Sequence, residues 1–228
     1  MPHNFPQLPL GIGLRDSATF DNFLPDGNEL ALQALRDDRE AMLYLWGPAG
    51  SGKTHLLQAL CHHAVTRGES LAFLPLGELA PLSHGMLEGL EQQAVIGIDD
   101  VQAIARLPDW EEALFHLYNR VRDAGHRLVV SGTAAPHCLG LSLPDLVTRL
   151  GWGPVFRLVA LDDAGKRRAL QLGARRRGMA IPDEVADYLL RHSPRDMNSL
   201  FALLDRLDRA SLAAQRKLTI PFVRELIR

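Results

Sequence analysis

Cysteine is nearly absent from this chain: there are two, Cys61 and Cys138, in 228 residues. Two thiols so far apart make neither a disulfide framework nor a metal-ligand spacing, and their scarcity fits a reducing, cytoplasmic setting. No apolar run approaches the ~18 residues of a membrane helix, and the amino-terminus lacks the basic and apolar regions of an export signal. Neither export nor membrane insertion is therefore expected. Net charge is only −2, which excludes a global basic field for holding nucleic acid. Internal repeats and low-complexity segments are also missing. Such charge as there is falls unevenly: residues 161–228 carry 14 Lys and Arg against 9 Asp and Glu, residues 1–160 carry 11 against 18. That asymmetry points to two modules, and the length suffices for one domain with a small annex.

Residues 47–54 read Gly47-Pro48-Ala49-Gly50-Ser51-Gly52-Lys53-Thr54, a complete G-x-x-x-x-G-K-[ST] loop. The apolar run Met42–Trp46 precedes it and a helical stretch, Thr54–Thr66, follows, which is the strand–loop–helix context the motif requires. Glycines at 47, 50 and 52 let the backbone bring amide N–H groups up to phosphate oxygens at the positive end of a helix. Lys53 is placed to reach the β- and γ-phosphates, and Thr54 to put a hydroxyl on Mg²⁺.

Beyond residues 1–19, rich in proline and glycine and read as a flexible arm, strands and helices alternate. Strands are expected at Met42–Trp46, Ser70–Leu74, Val95–Ile98, Arg127–Ser131 and Val155–Leu158; helices at Thr54–Thr66, Trp110–Asp123 and Pro144–Leu150, with Leu79–Glu91 broadly helical. Short, wholly apolar strands in such alternation predict an α/β fold whose parallel sheet is covered on both faces. From Asp162 the pattern is helical only: Asp163–Arg177, Asp183–His192, Asp196–Ala213 and Ile220–Ile227. Ser193-Pro194-Arg195-Asp196 reads as a helix start with Ser193 as cap. Arg175-Arg176-Arg177 and Lys166-Arg167-Arg168 read as solvated helix faces, His62-His63 as surface, and His116 with Asn119 as packing against the third strand.

The run Val95-Ile96-Gly97-Ile98 ends in Asp99-Asp100, the form of a Walker B element. A hydrophobic strand there delivers a carboxylate, Asp99, to the metal beside the phosphates, and Asp100 would polarise the attacking water. Together with Thr19-Phe20-Asp21-Asn22-Phe23 and Asn28, Lys53-Thr54-His55-Leu56-Leu57, Ile98-Asp99-Asp100-Val101-Gln102, Phe115-His116-Leu117-Tyr118-Asn119, Leu146–Gly153 and Leu218–Val223, these residues resemble the AAA+ module of the bacterial replication initiator DnaA. The resemblance covers about residues 17–228. It implies an AAA+ P-loop NTPase fold with a five-stranded parallel sheet between helices and a small all-helical lid, with boundaries at 1–18, 19–160 and 161–228. It also implies ADP or ATP with Mg²⁺ as ligands of Gly47–His55, Thr54 and Asp99.

Three further residue roles follow from the resemblance. Arg149 matches the arginine finger of the family, which reaches into a neighbouring subunit's nucleotide site. Arg195 matches the sensor II arginine, which reports from the lid on the bound phosphates. The sensor I position falls at Ser131 or Thr133, where Gly132-Thr133-Ala134-Ala135-Pro136 departs from the common Asp-Arg-x-Pro. In the arm, Gln7-Leu8-Pro9-Leu10-Gly11-Ile12 is similar to peptides that dock on the replicative sliding clamp: Gln7 bonding at a pocket rim, Leu8, Leu10 and Ile12 burying apolar surface.

The sequence ends at Arg228, so the DNA-binding domain that follows this module in DnaA is not expected. An AAA+ module with a clamp-type peptide in front resembles the regulatory inactivators within the DnaA-related family. That implies a negative regulator of replication initiation that binds adenine nucleotide and the DNA polymerase III β sliding clamp, meets DNA through the clamp, and stimulates hydrolysis of DnaA-bound ATP. Its own ATPase activity is expected to be weak or absent, and self-association is compatible with the family. The competing expectation is an autonomous AAA+ ATPase such as a DnaC-like helicase loader.

Overall fold

The computed structural model describes residues 18–194 and 196–227. A short helix, α1 (Glu29–Arg36), precedes a five-stranded sheet of β1 (Met42–Trp46), β2 (Leu71–Pro75), β3 (Val95–Asp99), β4 (Arg127–Gly132) and β5 (Val155–Arg157). Between the strands run α2 (Lys53–Thr66), α3 (Leu76–Leu79), α4 (Pro108–Asp123) and α5 (Pro144–Leu150). The sheet order is β2-β3-β4-β1-β5, and every pairing is parallel.

Alternation along each strand sends neighbouring side chains to opposite faces. Leu43, Leu45, Val95 and Val129 pack under α1 and α2 with Leu35, Leu56, Leu57 and Leu60. Tyr44, Ile96, Ile98, Leu128 and Val130 face the other way, onto Leu114, Leu117 and Val121 of α4 and Leu146 of α5. Because both faces are covered, the strands carry no polar stripe, the reason they read as plain apolar runs. The doubly covered parallel sheet expected from the sequence is present.

The stretch expected to be broadly helical, Leu79–Glu91, is not. Only its first residue, Leu79, is α-helical, as the end of α3, and single 3₁₀ turns follow at His84–Leu87 and Leu90–Gln92. Pro81 lacks an N–H to donate, the Ser83 hydroxyl accepts from the Gly85 amide, and Gly89 sits at φ +76°, so no continuous ladder can run through them. Helix α1 has no counterpart among the sequence expectations. It is eight residues long, with Ala31 and Leu35 inward. Arg127, buried at the start of β4, holds its end by donating to the carbonyls of Ala34 and Asp37 at 2.9 and 3.1 Å.

After Asp162, whose side chain caps it by accepting from Gly165 N–H at 2.7 Å, α6 (Asp163–Arg176) opens the carboxyl-terminal helical region with α7 (Asp183–His192), α8 (Met197–Ala214) and α9 (Ile220–Ile227). Val185, Leu189, Leu204, Leu207, Phe222 and Val223 form its core. The cap of α8 is Asp196, which accepts from Ser199 N–H at 2.8 Å, and not Ser193, which follows α7. Arg177 is no solvated face: it bonds the Asp205 carboxylate, Nε at 2.9 Å and Nη2 at 2.5 Å. Arg168 and Arg176 reach out of the helical region to the Asp26 carboxylate and the Asp21 carbonyl. Asn28 joins the same junction, its amide donating to the Val159 carbonyl at 3.0 Å and accepting from the Val159 N–H at 2.8 Å.

Candidate functional site

Parallel pairing brings the carboxyl ends of β1, β3 and β4 to one edge, with β4 between the other two. Register sets Leu45 beside Ser131 and Trp46 beside Gly132, and Ile98 beside Val130. The loop Gly47–Gly52 therefore starts within reach of both Ser131 and Asp99.

The loop is shaped by its glycines at two points. A Cβ on Gly47 would lie 2.5 Å from the Leu158 carbonyl oxygen, and Gly52, at φ +95°, would press a Cβ to 2.6 Å from the Phe23 ring. Neither position admits another residue without displacing backbone or ring. Gly52 hands the chain to α2, whose first residue, Lys53, is buried. The Lys53 ammonium donates to the carbonyls of Gly47 and Pro48 at 2.8 and 3.1 Å. Burial pulls it below the ordinary lysine range, opposed by the charges of Asp100 and Asp99. Ser51 Oγ is buried without a hydrogen-bond partner among the described residues, while Pro48, Ala49 and Gly50 face solvent.

Thr54 Oγ1 donates to Asp99 Oδ2 at 2.5 Å, and Ser131 Oγ donates to Asp99 Oδ1. Burial raises the Asp99 carboxyl above its usual range, against the hydrogen bonds of Ser131 and Thr54. A hydroxyl and a carboxylate meeting at one point are the hard oxygen donors that Mg²⁺ takes, so Thr54 and Asp99 fit that ion. Asp100 follows in the left-handed region, φ +58°. Its N–H donates to Ser131 Oγ at 3.3 Å and its Oδ1 accepts from the Gln102 amide at 2.8 Å. Gln102 Oε1 in turn accepts from the Thr133 N–H at 3.2 Å. Of the two sensor I candidates, Ser131 makes side-chain contact with the Asp99 carboxylate, whereas Thr133 contributes its backbone and is exposed. Gln102 was quoted in the sequence only as part of a motif; nothing local marks it as the tie between Asp100 and the end of β4. His55, one residue into α2 beyond Thr54, lies 3.0 Å by Nε2 from the Thr19 carbonyl oxygen and 5.6 Å from Phe23 between ring centroids.

Residues 163–227 match the family model described as Hda, lid domain. Domain III of the replication initiation protein DnaA from Thermotoga maritima superposes with a TM-score of 0.78 at 23% identity, over 94% of this chain and 97% of that one. AMPPCP-bound DnaA from Aquifex aeolicus gives 0.70 at 22%, over 85% and 66%. The RuvB Holliday junction branch migration motor of Thermotoga maritima gives 0.65 at 20%, over 93% and 71%. The chain has the fold of DnaA domain III, and its carboxyl-terminal helical region matches the Hda lid model. The fold expected from the sequence, a five-stranded parallel sheet between helices followed by a helical lid, is the one present.

In this core Arg149 stands apart from the phosphate loop. It lies in the last turn of α5, next to Trp152, whose neighbour Gly153 packs so tightly on the Met42 carbonyl that a Cβ would come within 1.9 Å of its oxygen. Met42 begins β1, whereas the loop leaves its far end. From Met42 to Gly47 is about 16 Å of parallel strand. The Arg149 guanidinium stacks on Trp152, 3.7 Å from the ring centroid. Among the described residues no helix is long and apolar enough to cross a membrane. Arg195 of the lid and the peptide Gln7, Leu8, Leu10 and Ile12 lie outside the described residues. His116, expected against the third strand, is exposed on α4 and faces Glu112 at 3.6 Å.

Proposed function

We propose that this chain is a DnaA-related regulator of replication initiation that acts on a nucleotide other than its own. An adenine nucleotide would sit on Gly47–His55, where the first amides of α2 and the Lys53 ammonium offer charge and N–H donors to its phosphates. AMPPCP in the Aquifex aeolicus DnaA supports adenine as the base. Mg²⁺ held by Thr54 and Asp99 would neutralise phosphate charge. Asp100 is kept in place by Gln102 and by its own N–H on Ser131, which orients it as the acceptor toward a water. Arg195 would report from the lid on the phosphates.

The observation that carries the reading is the distance between Arg149 and the chain's own loop. An arginine at the opposite end of β1 cannot serve the phosphates bound at Gly47–Thr54, so any phosphoryl group it stabilises belongs to another subunit. That subunit is DnaA carrying ATP. Arg149 would neutralise charge developing on the transferring phosphoryl group, an effect worth about 10³- to 10⁵-fold in rate. Docking of Gln7, Leu8, Leu10 and Ile12 on the sliding clamp would restrict this action to DNA on which the clamp is loaded.

The test is conversion of radiolabelled ATP on DnaA to ADP in the presence of clamp-loaded DNA. Arg149→Ala should keep its fold and nucleotide yet lose stimulation by at least about a hundredfold, because the lost cation acts only in the transition state. Lysine should restore little, since one ammonium does not reproduce the planar fork. Near-normal conversion by the alanine variant would remove this reading in favour of an autonomous ATPase such as a helicase loader.

A further inference from the structure

Trp152 is 57% exposed, an unusual setting for the largest side chain, and its position is not left to chance. Its N–H donates to the Arg149 carbonyl at 3.1 Å, and the Pro154 carbonyl accepts from Tyr44 N–H at 3.0 Å two residues on. With Gly153 pressed on Met42, the turn that carries Trp152 is fixed to the edge of the sheet. On this fixed indole face the guanidinium of Arg149 rests at 3.7 Å from the centroid. Phe115 bounds it less closely, at 5.8 Å.

The arginine is held without being satisfied. Its Nη1 is shielded from solvent and has no hydrogen-bond acceptor among the described residues. A second cation, Arg122, also approaches the same ring, at 5.6 Å, although it is neutralised by Asp123 at 2.8 Å. Stacking thus restricts where the guanidinium can go while leaving its donor fork unspent, a state from which an incoming anion can take it. A flexible arginine in solvent would instead have to be ordered at each encounter, at a cost in side-chain entropy.

Resting on the finger reading of Arg149, we propose that Trp152 is its positioning residue: the indole is a fixed ledge that pre-orders the guanidinium for the phosphates of the partner's nucleotide. The contribution falls on the catalysed step and not on complex formation. Trp152→Leu, which keeps bulk but removes the π face, should lower the maximal rate of DnaA-bound ATP hydrolysis about tenfold, between the size of an exposed and of a desolvated cation–π contact. The concentration for half-maximal stimulation should change less than about threefold, while Trp152→Phe should restore the maximal rate to within about threefold of the wild type. ADP affinity and thermal unfolding check folding, and Trp152→Met replaces the leucine variant if that fails to fold.

A raised half-maximal concentration with unchanged maximal rate would make Trp152 a docking residue and overturn the proposal. So would a loss that phenylalanine does not repair. If Trp152→Leu works as well as the wild type while Arg149→Ala is inactive, the ledge is wrong and the finger stands. If Arg149→Ala itself is fully active, both fall together.

Discussion

Lys53 illustrates how one buried cation ties a loop to its ligand. The ammonium lies under the loop, donating to Gly47 and Pro48, and no other cation sits beside those carbonyls in the motif. Charged hydrogen bonds are worth about 1.5–3 kcal/mol each, so Lys53→Ala should weaken ADP binding by about two orders of magnitude. The fold should survive, since of the two carbonyls left behind only that of Gly47 is buried. Titration calorimetry showing wild-type affinity in the variant would sink the assignment of the loop. Lys53 was legible in the sequence because its motif is contiguous. Ser131 was legible only as one of two candidates, because its contact with Asp99 depends on which strand lies beside which. Arg149 is a similar case: the stacking partner is three residues away, but what puts both far from the loop is the packing of Gly153 on β1.

Helix α1 and the segment before it show the same dependence on distant partners. Asn28 occupies the position of a helix cap, yet its side chain makes no cap hydrogen bond; both ends of its amide are committed to Val159, 131 residues away. The sequence resemblance names Asn28 without a reason for it, and the reason is this pair. Asn28→Ala would leave the part-buried N–H and carbonyl of Val159 unpaired, at a cost of about 1–3 kcal/mol. We expect a lower midpoint in urea with an unchanged slope, and weaker nucleotide binding, because Phe20–Asn28 also supplies Phe23 against Gly52. A variant with the wild-type midpoint would show that Val159 finds other partners. The mistaken expectation at Leu79–Glu91 has the opposite cause: apolar residues at roughly helical spacing are present, but the cover they give α4 and β3 needs no helix, and a proline and two glycines forbid one.

At the scale of the whole molecule, the helical lid and the sheet domain meet along a strip of the amino-terminal segment, where Arg168 and Arg176 reach the Asp26 carboxylate and the Asp21 carbonyl. The charge asymmetry seen in the sequence has part of its explanation here, as basic lid residues face acidic residues of the core. The two proposed activities are separable by position: replacing Gln7, Leu8 and Leu10 together by alanine should abolish co-purification with the sliding clamp while ADP affinity stays within about twofold, since interface anchors contribute where they dock and these precede the first core element. Clamp binding at the wild-type level in the triple variant would remove the arm from the proposed function.

What the sequence determined by itself was whatever is settled within a few residues: the phosphate loop between a strand and a helix, the apolar strands, and the switch to helix-only pattern after Asp162. These rest on backbone conformation and periodicity, which neighbours along the chain decide. The tertiary structure alone decided that β4 lies between β1 and β3, that Ser131 meets Asp99, that Gln102 ties Asp100 to the end of β4, and that Arg149 is turned away from its own loop. An apolar strand carries no local mark of its neighbour, because any equally buried strand satisfies its hydrogen bonds; the choice is made by the packing of both faces at once.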